Sequence, residues 1–274
     1  VPMFFERPYT SHFVEVVSQV RRTLSSWKGK AFSMAGRLCL VKHIVTSKLV
    51  YSFMVYCWHA SVIKTINSLM RNFRWSGSIL ERKVIYAPWK SCCKPYSKGE
   101  LGVQNLEIFN RALQAQFIWR LINYKSQHLF FLRSKLHNRI IDGSISYVQS
   151  SIWPGLKKIF QNINCQSRWI VSAQYSLKLW THNWTSSPLT ESVDITSHDT
   201  NYGSSVKNQL EHRDTLPSQV AEMIDNIEFL DGNDFLLWEP STNGILDSKG
   251  FYDHLIHGNS TGIEAFNKKW LIPS

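Results

Sequence analysis

Not one aspartate occurs in residues 1–141, which carry 22 Lys and Arg against five Glu, whereas residues 142–274 carry nine Lys and Arg against fifteen acids. Two-metal phosphoryl chemistry needs clustered carboxylates to hold its cations. The basic segment cannot supply such a cluster, and no Asp-Asp pair occurs anywhere in the chain. That segment is suited to bind nucleic acid but not to cut or polymerise it. Cysteine is also sparse: Cys39, Cys57, Cys92, Cys93 and Cys165 form an odd set without framework spacing, which fits a reducing cytosol or nucleus and calls for no disulfide. There is no uncharged apolar run of 18 residues and no charged leader followed by an apolar core. The expectation is a nuclear or cytoplasmic chain, neither secreted nor membrane-spanning, in which the sequons at Asn183 and Asn259 are chance. No repeat with a period of 20 to 50 residues is visible.

What is present favours a folded protein. The 274 residues suffice for one large domain or two ordinary ones, and 43% hydrophobic residues with 11 Trp and 15 Phe can fill their cores. The net charge of +11 divides into +17 on the first segment and −6 on the second. A basic segment beside a mildly acidic one is the electrostatic footprint of a surface that holds a polyanion.

The first 75 residues read as helices. Ser11 can cap a segment with Val14, Val17, Val20 and Leu24 on one face, and Ser33 can cap a second with Met34, Leu38, Val41, Val45 and Leu49 in one stripe. A third helix starts near Ser61, burying Ile63, Ile66, Met70 and Phe73. On its polar side Lys64, Asn67, Arg71 and Arg74 fall at i, i+3, i+7 and i+10, a row able to follow a phosphate backbone. Helical period is lost over 76–104, where Val84–Ala87 reads as a short strand before a basic loop punctuated by Pro88, Pro95 and Gly99. Asn105 caps a helix with Ile108, Ala112, Ala115, Trp119 and Ile122 at helical spacing, and a less regular helical stretch follows around 126–139. Residues 152–163 read as a short helix and 167–184 as a hairpin flanked by Trp169, Trp180 and Trp184. The polar region 185–216 reads as a linker. Beyond it come a short acidic helix with Val220, Ile224 and Ile227, a hairpin over 234–247, and a helix from Lys249 to His257.

The run from Ser26 to Val45, Ser-Trp-Lys-Gly-Lys-Ala-Phe-Ser-Met-Ala-Gly-Arg-Leu-Cys-Leu-Val-Lys-His-Ile-Val, resembles the segment that follows the polymerase palm in plant non-LTR (LINE-type) retrotransposon reverse transcriptases. Tyr51–Tyr56, Arg71–Gly77, Arg82 and Lys83, Trp89 with Cys92, Lys98–Gly102, and Asn110 with Ala112 and Trp119 agree in order. The resemblance covers about residues 2–140. It continues more faintly through Ser150–Trp153, the stretch from Trp169 to Trp184, and Asp234–Tyr252, with Ser172, Gln174 and His182 departing from the family's usual residues. It implies that the Asp-Asp polymerase centre, with the Mg it binds, and the zinc-binding and ribonuclease H segments lie outside this chain. It also implies a thumb followed by a connector, with an RNA/DNA template-primer duplex and the absent palm as partners.

The fold expected is α+β and mainly helical: a helical thumb-like bundle, then a mixed connector with short β-hairpins. The expected regions are a basic helical part (1–77), a strand and loop with further basic helices (78–140), a short helix and Trp-rich hairpin (141–184), the linker (185–216) and a small acidic α/β segment (217–274). Lys28, Lys30, Arg37, Lys42, Lys64, Arg71, Arg74, Arg82 and Lys83 are the candidates for phosphate and sugar contact, which positions a duplex without reading its sequence. The alternative for each is a solvated charge whose stem covers an apolar stripe. Phe73 and Trp119 belong to apolar faces and are expected in the core, while Trp27 and Trp75 at helix ends stay open between packing and base stacking. Gly99-Glu-Leu-Gly102 reads as a turn rather than a phosphate clamp. Cys92 and Cys93 are adjacent rather than spaced for zinc, and His254 with His257 has no third ligand, so no metal, cofactor or catalytic residue is assigned. Two other functions stay open: a retroelement relic without independent activity, and a basic module that binds anionic membrane or protein partners.

Overall fold

The computed structural model describes residues 9–81, 84–96, 99–123, 127–129, 131–132, 152–172, 177–184, 189, 205–206, 216–225 and 234–257. Two compact units divide the chain: Val1–Phe117 with Gln149–Leu156, and Ile118–Val148 with Lys157–Ser274. The class is mainly helical α+β, with one two-stranded antiparallel sheet among the described residues.

In the first unit a 3-10 turn, Thr10–Phe13, runs into α1, Val14–Ser26. Its buried stripe is Phe13, Val16, Val20 and Leu24, while Val14 is 59% exposed. The stripe keeps helical spacing but lies one residue away from the Val14 and Val17 reading. Phe13 sets this phase by packing on Trp58, with ring centroids 4.6 Å apart, and on Tyr56 at 6.2 Å. Ser33 caps α2, Met34–Leu40, by accepting the Gly36 amide at 3.2 Å. A π turn, Val41–Val45, joins α2 to α3, Thr46–Val55, and the extra residue aligns Val41, Val45, Leu49 and Phe53 as one fully buried row. By length and hydropathy Met34–Val55 could cross a membrane. It nevertheless carries Arg37, Lys42 and Lys48, and it gives those four side chains to the core cluster.

The third long helix, α4, spans Ala60–Ser76 behind the His59 cap and buries Ile63, Ile66, Met70 and Phe73 as its sequence predicts. It stops at Gly77, whose φ of +74° is the left-handed position a helix C-terminus favours. Gly77 also meets Gly29 backbone to backbone: a Cβ on Gly77 would lie 2.8 Å from the Gly29 carbonyl carbon and the Lys30 nitrogen. Past this crossing, Val84–Ala87 forms no strand. Among the described residues nothing pairs with it, and Tyr86 instead packs on Trp75 at 5.5 Å.

A short helix α5, Trp89–Cys92, precedes α6, Leu106–Asn123. Asn105 caps α6 as expected, accepting the Glu107 and Ile108 amides. Asn110 then accepts the Trp58 amide and donates to the Phe53 and Tyr56 carbonyls at 2.8 and 2.9 Å, which fixes the α3–α4 connection to α6. Phe73 and Trp119 are both buried.

The second unit takes most of α7, Trp153–Asn164, then β1, Ser167–Ile170, then α8, Ser218–Asp225, β2, Phe235–Trp238, and α9, Ser248–His257. Among the described residues, which omit 173–176, neither expected hairpin forms. β1 pairs with β2 in the register Ser167 to Trp238 and Ile170 to Phe235, so each strand finds its partner far along the chain. Both edges are occupied: Trp169 donates to the Asn183 carbonyl, and the Leu236 amide donates to Asn123 Oδ1. An exposed two-stranded ribbon would leave those groups unpaired. Trp169, Trp180 and Trp184 are buried rather than flanking a hairpin. Residues 185–216 lie largely outside the described residues, as do 126–139 apart from 127–129 and 131–132.

The glycine crossing has a measurable consequence. Gly77→Ala forces a left-handed conformation on alanine and drives its Cβ into the Gly29 backbone, so urea unfolding should show a loss of about 1–3 kcal/mol. Gly99 has the same φ but open space around it, and Gly99→Ala should cost less. Equal losses would contradict the crossing.

Candidate nucleic-acid interface

Of the nine candidate cations, Arg82 and Lys83 lie outside the described residues. Lys28 and Lys64 are exposed. Lys30 is exposed and lies 2.6 Å from Glu81, a surface pair of the kind that contributes little and that a phosphate can replace. The half-buried Lys42 donates to the Tyr96 hydroxyl, and its ammonium stands 4.1 Å from the centre of that ring. Arg71 is half-buried, with one nitrogen 3.4 Å from Ser68 Oγ.

The other two arginines are structural. Arg37 Nε donates to the Gly29 and Phe32 carbonyls at 2.7 and 3.1 Å, while Nη1 reaches the Arg74 and Trp75 carbonyls at 3.5 Å. Arg37 therefore uses its fork to satisfy carbonyls at the end of α4 that have no helical partner. Arg74 is only 6% exposed, and its Nε and Nη1 are buried without a hydrogen-bond partner. Its guanidinium lies 4.3 Å from the Trp75 ring centre, a partial compensation for lost hydration. Burial holds Arg74 below its ordinary pKa. The thiol of Cys92 is no counter-ion: burial pushes it up although Arg74 pulls it down. Cys93 is pushed up to about 12, chiefly by burial. Neither cysteine is a thiolate at neutral pH, which leaves them poor nucleophiles.

The polar row on α4 thus loses two members, since Asn67 accepts the Trp89 indole N–H at 3.1 Å and Arg74 faces the core. Other cations replace them. Arg21, Lys48, Lys90 and Lys94 are exposed and, like Lys28 and Lys64, form no ion pair among the described residues. Three acids of this unit, Glu15, Glu81 and Glu107, are each matched to a cation. Arg21 was legible in the sequence, because Val14, Ser18 and Arg21 share one helical face at i, i+4 and i+7.

α1 and α4 run in the same direction. Thr10 and Val14 line a groove with Ser61 and Thr65 at one end, and Trp27 packs on Phe73 at the other with centroids 5.8 Å apart. The groove has a volume of about 360 Å³, with Val17, Ser18 and Arg21 of α1 and Val62 of α4 also lining it and no carboxylate among its lining residues.

Trp27 lies half-buried on Phe73, and Trp75 is held between Arg74 and Tyr86, so both tryptophans pack within the protein. Gly99 and Gly102 take φ of +74° and +59° in a turn. Among the described residues no three His, Cys, Asp or Glu side chains gather. His254 packs on Trp238 at 5.5 Å and is held below its ordinary pKa by burial.

Two plant proteins are similar in sequence. An Arabidopsis thaliana protein named "Putative ribonuclease H protein" is 30% identical over 201 residues, covering 70% of this chain. An Arabidopsis thaliana "Uncharacterized mitochondrial protein" is 27% identical over 142 residues, covering 49% of this chain and 90% of its own length. The match spans about a third of the first relative, 32% of its length. No known family profile matches the chain, and neither does any solved structure.

Arg74 offers a test of how the basic residues divide between core and surface. A buried cation without a full set of partners opposes folding, and replacing such groups with apolar ones is often stabilising by about 1–4 kcal/mol. Arg74→Leu should therefore raise the urea midpoint of the full chain. A lower midpoint would show that Arg74 has a partner that compensates its burial.

Proposed function

We propose that this chain is a noncatalytic part of a retroelement reverse transcriptase, and that it grips a template-primer duplex through the cations of its first unit. The observation that carries this reading is the surplus of unmatched surface charge. Arg21, Lys28, Lys48, Lys64, Lys90 and Lys94 are exposed and unpaired among the described residues, while Glu15, Glu81 and Glu107 are engaged. Such cations hold sugar-phosphate backbone without reading bases. The polymerase palm and Mg would belong to the parent protein. The resemblance to LINE-type elements and the similarity to a plant protein carrying the ribonuclease H name support a retroelement origin.

A second reading, a relic without independent activity, draws on two orphaned core groups. Arg74 is one. The other is Gln114, fully buried with both amide atoms unpaired, one turn after the fully satisfied Asn110. Each opposes folding, as expected of a sequence released from a demand for stability.

The readings separate by duplex binding. Neutralising about five phosphates should make the affinity for an RNA–DNA hybrid fall with salt at a log-log slope of about −4 to −5. A flat response, or binding to anionic vesicles that duplex does not compete, would overturn the proposal. A chain that neither unfolds cooperatively nor binds would support the relic.

A further inference from the structure

The groove between α1 and α4 is not explained by charge alone. At about 360 Å³ it falls near the small end of clefts that hold small ligands, roughly 300–1,000 Å³. Its apolar wall includes Val14, exposed at 59% although it belongs to a helix with a complete buried stripe of its own. Arg21 stands beside it without a carboxylate partner. The Thr10 and Ser18 hydroxyls accompany Arg21 on the α1 side and form no hydrogen bond among the described residues, whereas Thr65 donates to the Ser61 carbonyl and Ser61 is held by His59. Glu15, the acid in the first turn of α1, is drawn off by Arg22 at 2.5 Å.

We infer that this groove seats one nucleotide of an RNA or DNA backbone, with the phosphate on Arg21 and Ser18 and the sugar against Val14, one turn away. This rests on the nucleic-acid reading and adds to it a defined position. Charge complementarity selects an anion, and the apolar wall beside the donors selects an anion with an apolar face adjoining its charge, which a sugar-phosphate unit has.

The test uses the full chain with a fluorescent RNA–DNA hybrid, and with phosphatidylserine vesicles in parallel. Val14→Trp fills the groove without removing charge and changes only an exposed side chain. It should weaken hybrid binding about tenfold and lower the magnitude of the salt slope by about one. Arg21→Gln should lower the slope by about one as well. Arg111→Gln, which alters an exposed α6 cation paired with Glu107, should change the slope less than either. If the unaltered chain binds with a steep salt dependence but both groove variants match it, the groove inference fails and the broader reading stands. If the unaltered chain shows no salt-dependent binding, both fail. A greater effect of Val14→Trp on vesicles than on hybrid would overturn the nucleic-acid occupant.

Discussion

The backbone crossing of Gly29 and Gly77, clasped by Arg37, sets where everything in the first unit can stand. Gly77 ends α4 in a left-handed conformation and leaves no room for a side chain. Gly29 passes over it, and one guanidinium from α2 bonds carbonyls on both sides. A lysine could not do this, because a single ammonium lacks the planar fork that reaches several oxygens at fixed angles. The crossing ties the end of α1, the start of α2 and the end of α4 together. At the opposite end, Asn110 ties the α3–α4 connection to α6. α4 is thereby fixed at both of its ends.

That constraint sorts the cations by what each side chain can do. Arg37 and Arg74, near the crossing, are consumed by the interior. Arg37 is matched to carbonyls, while Arg74 retains two unpartnered nitrogens. The cations left for a polyanion are mostly lysines, together with Arg21, spread over α1 and the connection after it, α3, α4, and α5 with the residues that follow. Long, hydrated ammonium groups suit backbone contact that follows charge and not sequence. The surplus depends as much on acids as on bases, since so few carboxylates occur in residues 1–141 that a handful of ion pairs engages most of those described.

Local signals in the sequence anticipated much of the fold. The Ser33 and Asn105 caps, the α4 stripe through Phe73 and the helix beginning near Lys249 follow from residues within one or two turns. Where tertiary contacts decide, the sequence misled. Phe13 docking on Trp58 rotates the α1 stripe by one residue, and no local pattern announces that β1 pairs with a strand beyond residue 230. Arg74 failed for a geometric reason. At 3.6 residues per turn, a row spaced i, i+3, i+7 and i+10 drifts about 80° backwards around the helix. The row that starts at solvent-exposed Lys64 therefore ends at a core-facing position. Arg21 stands out only when the polar face of α1 is read beside its apolar stripe.

The central claim is that the first unit, and not the second, presents the surface that grips nucleic acid. Lysine acetylation footprinting of the full chain, with and without an RNA–DNA hybrid, tests it residue by residue. Protection concentrated at Lys28 and Lys64, with exposed Lys158 and Lys249 of the second unit unchanged, is the result the account predicts. Uniform protection, or protection confined to Lys158 and Lys249, would contradict it.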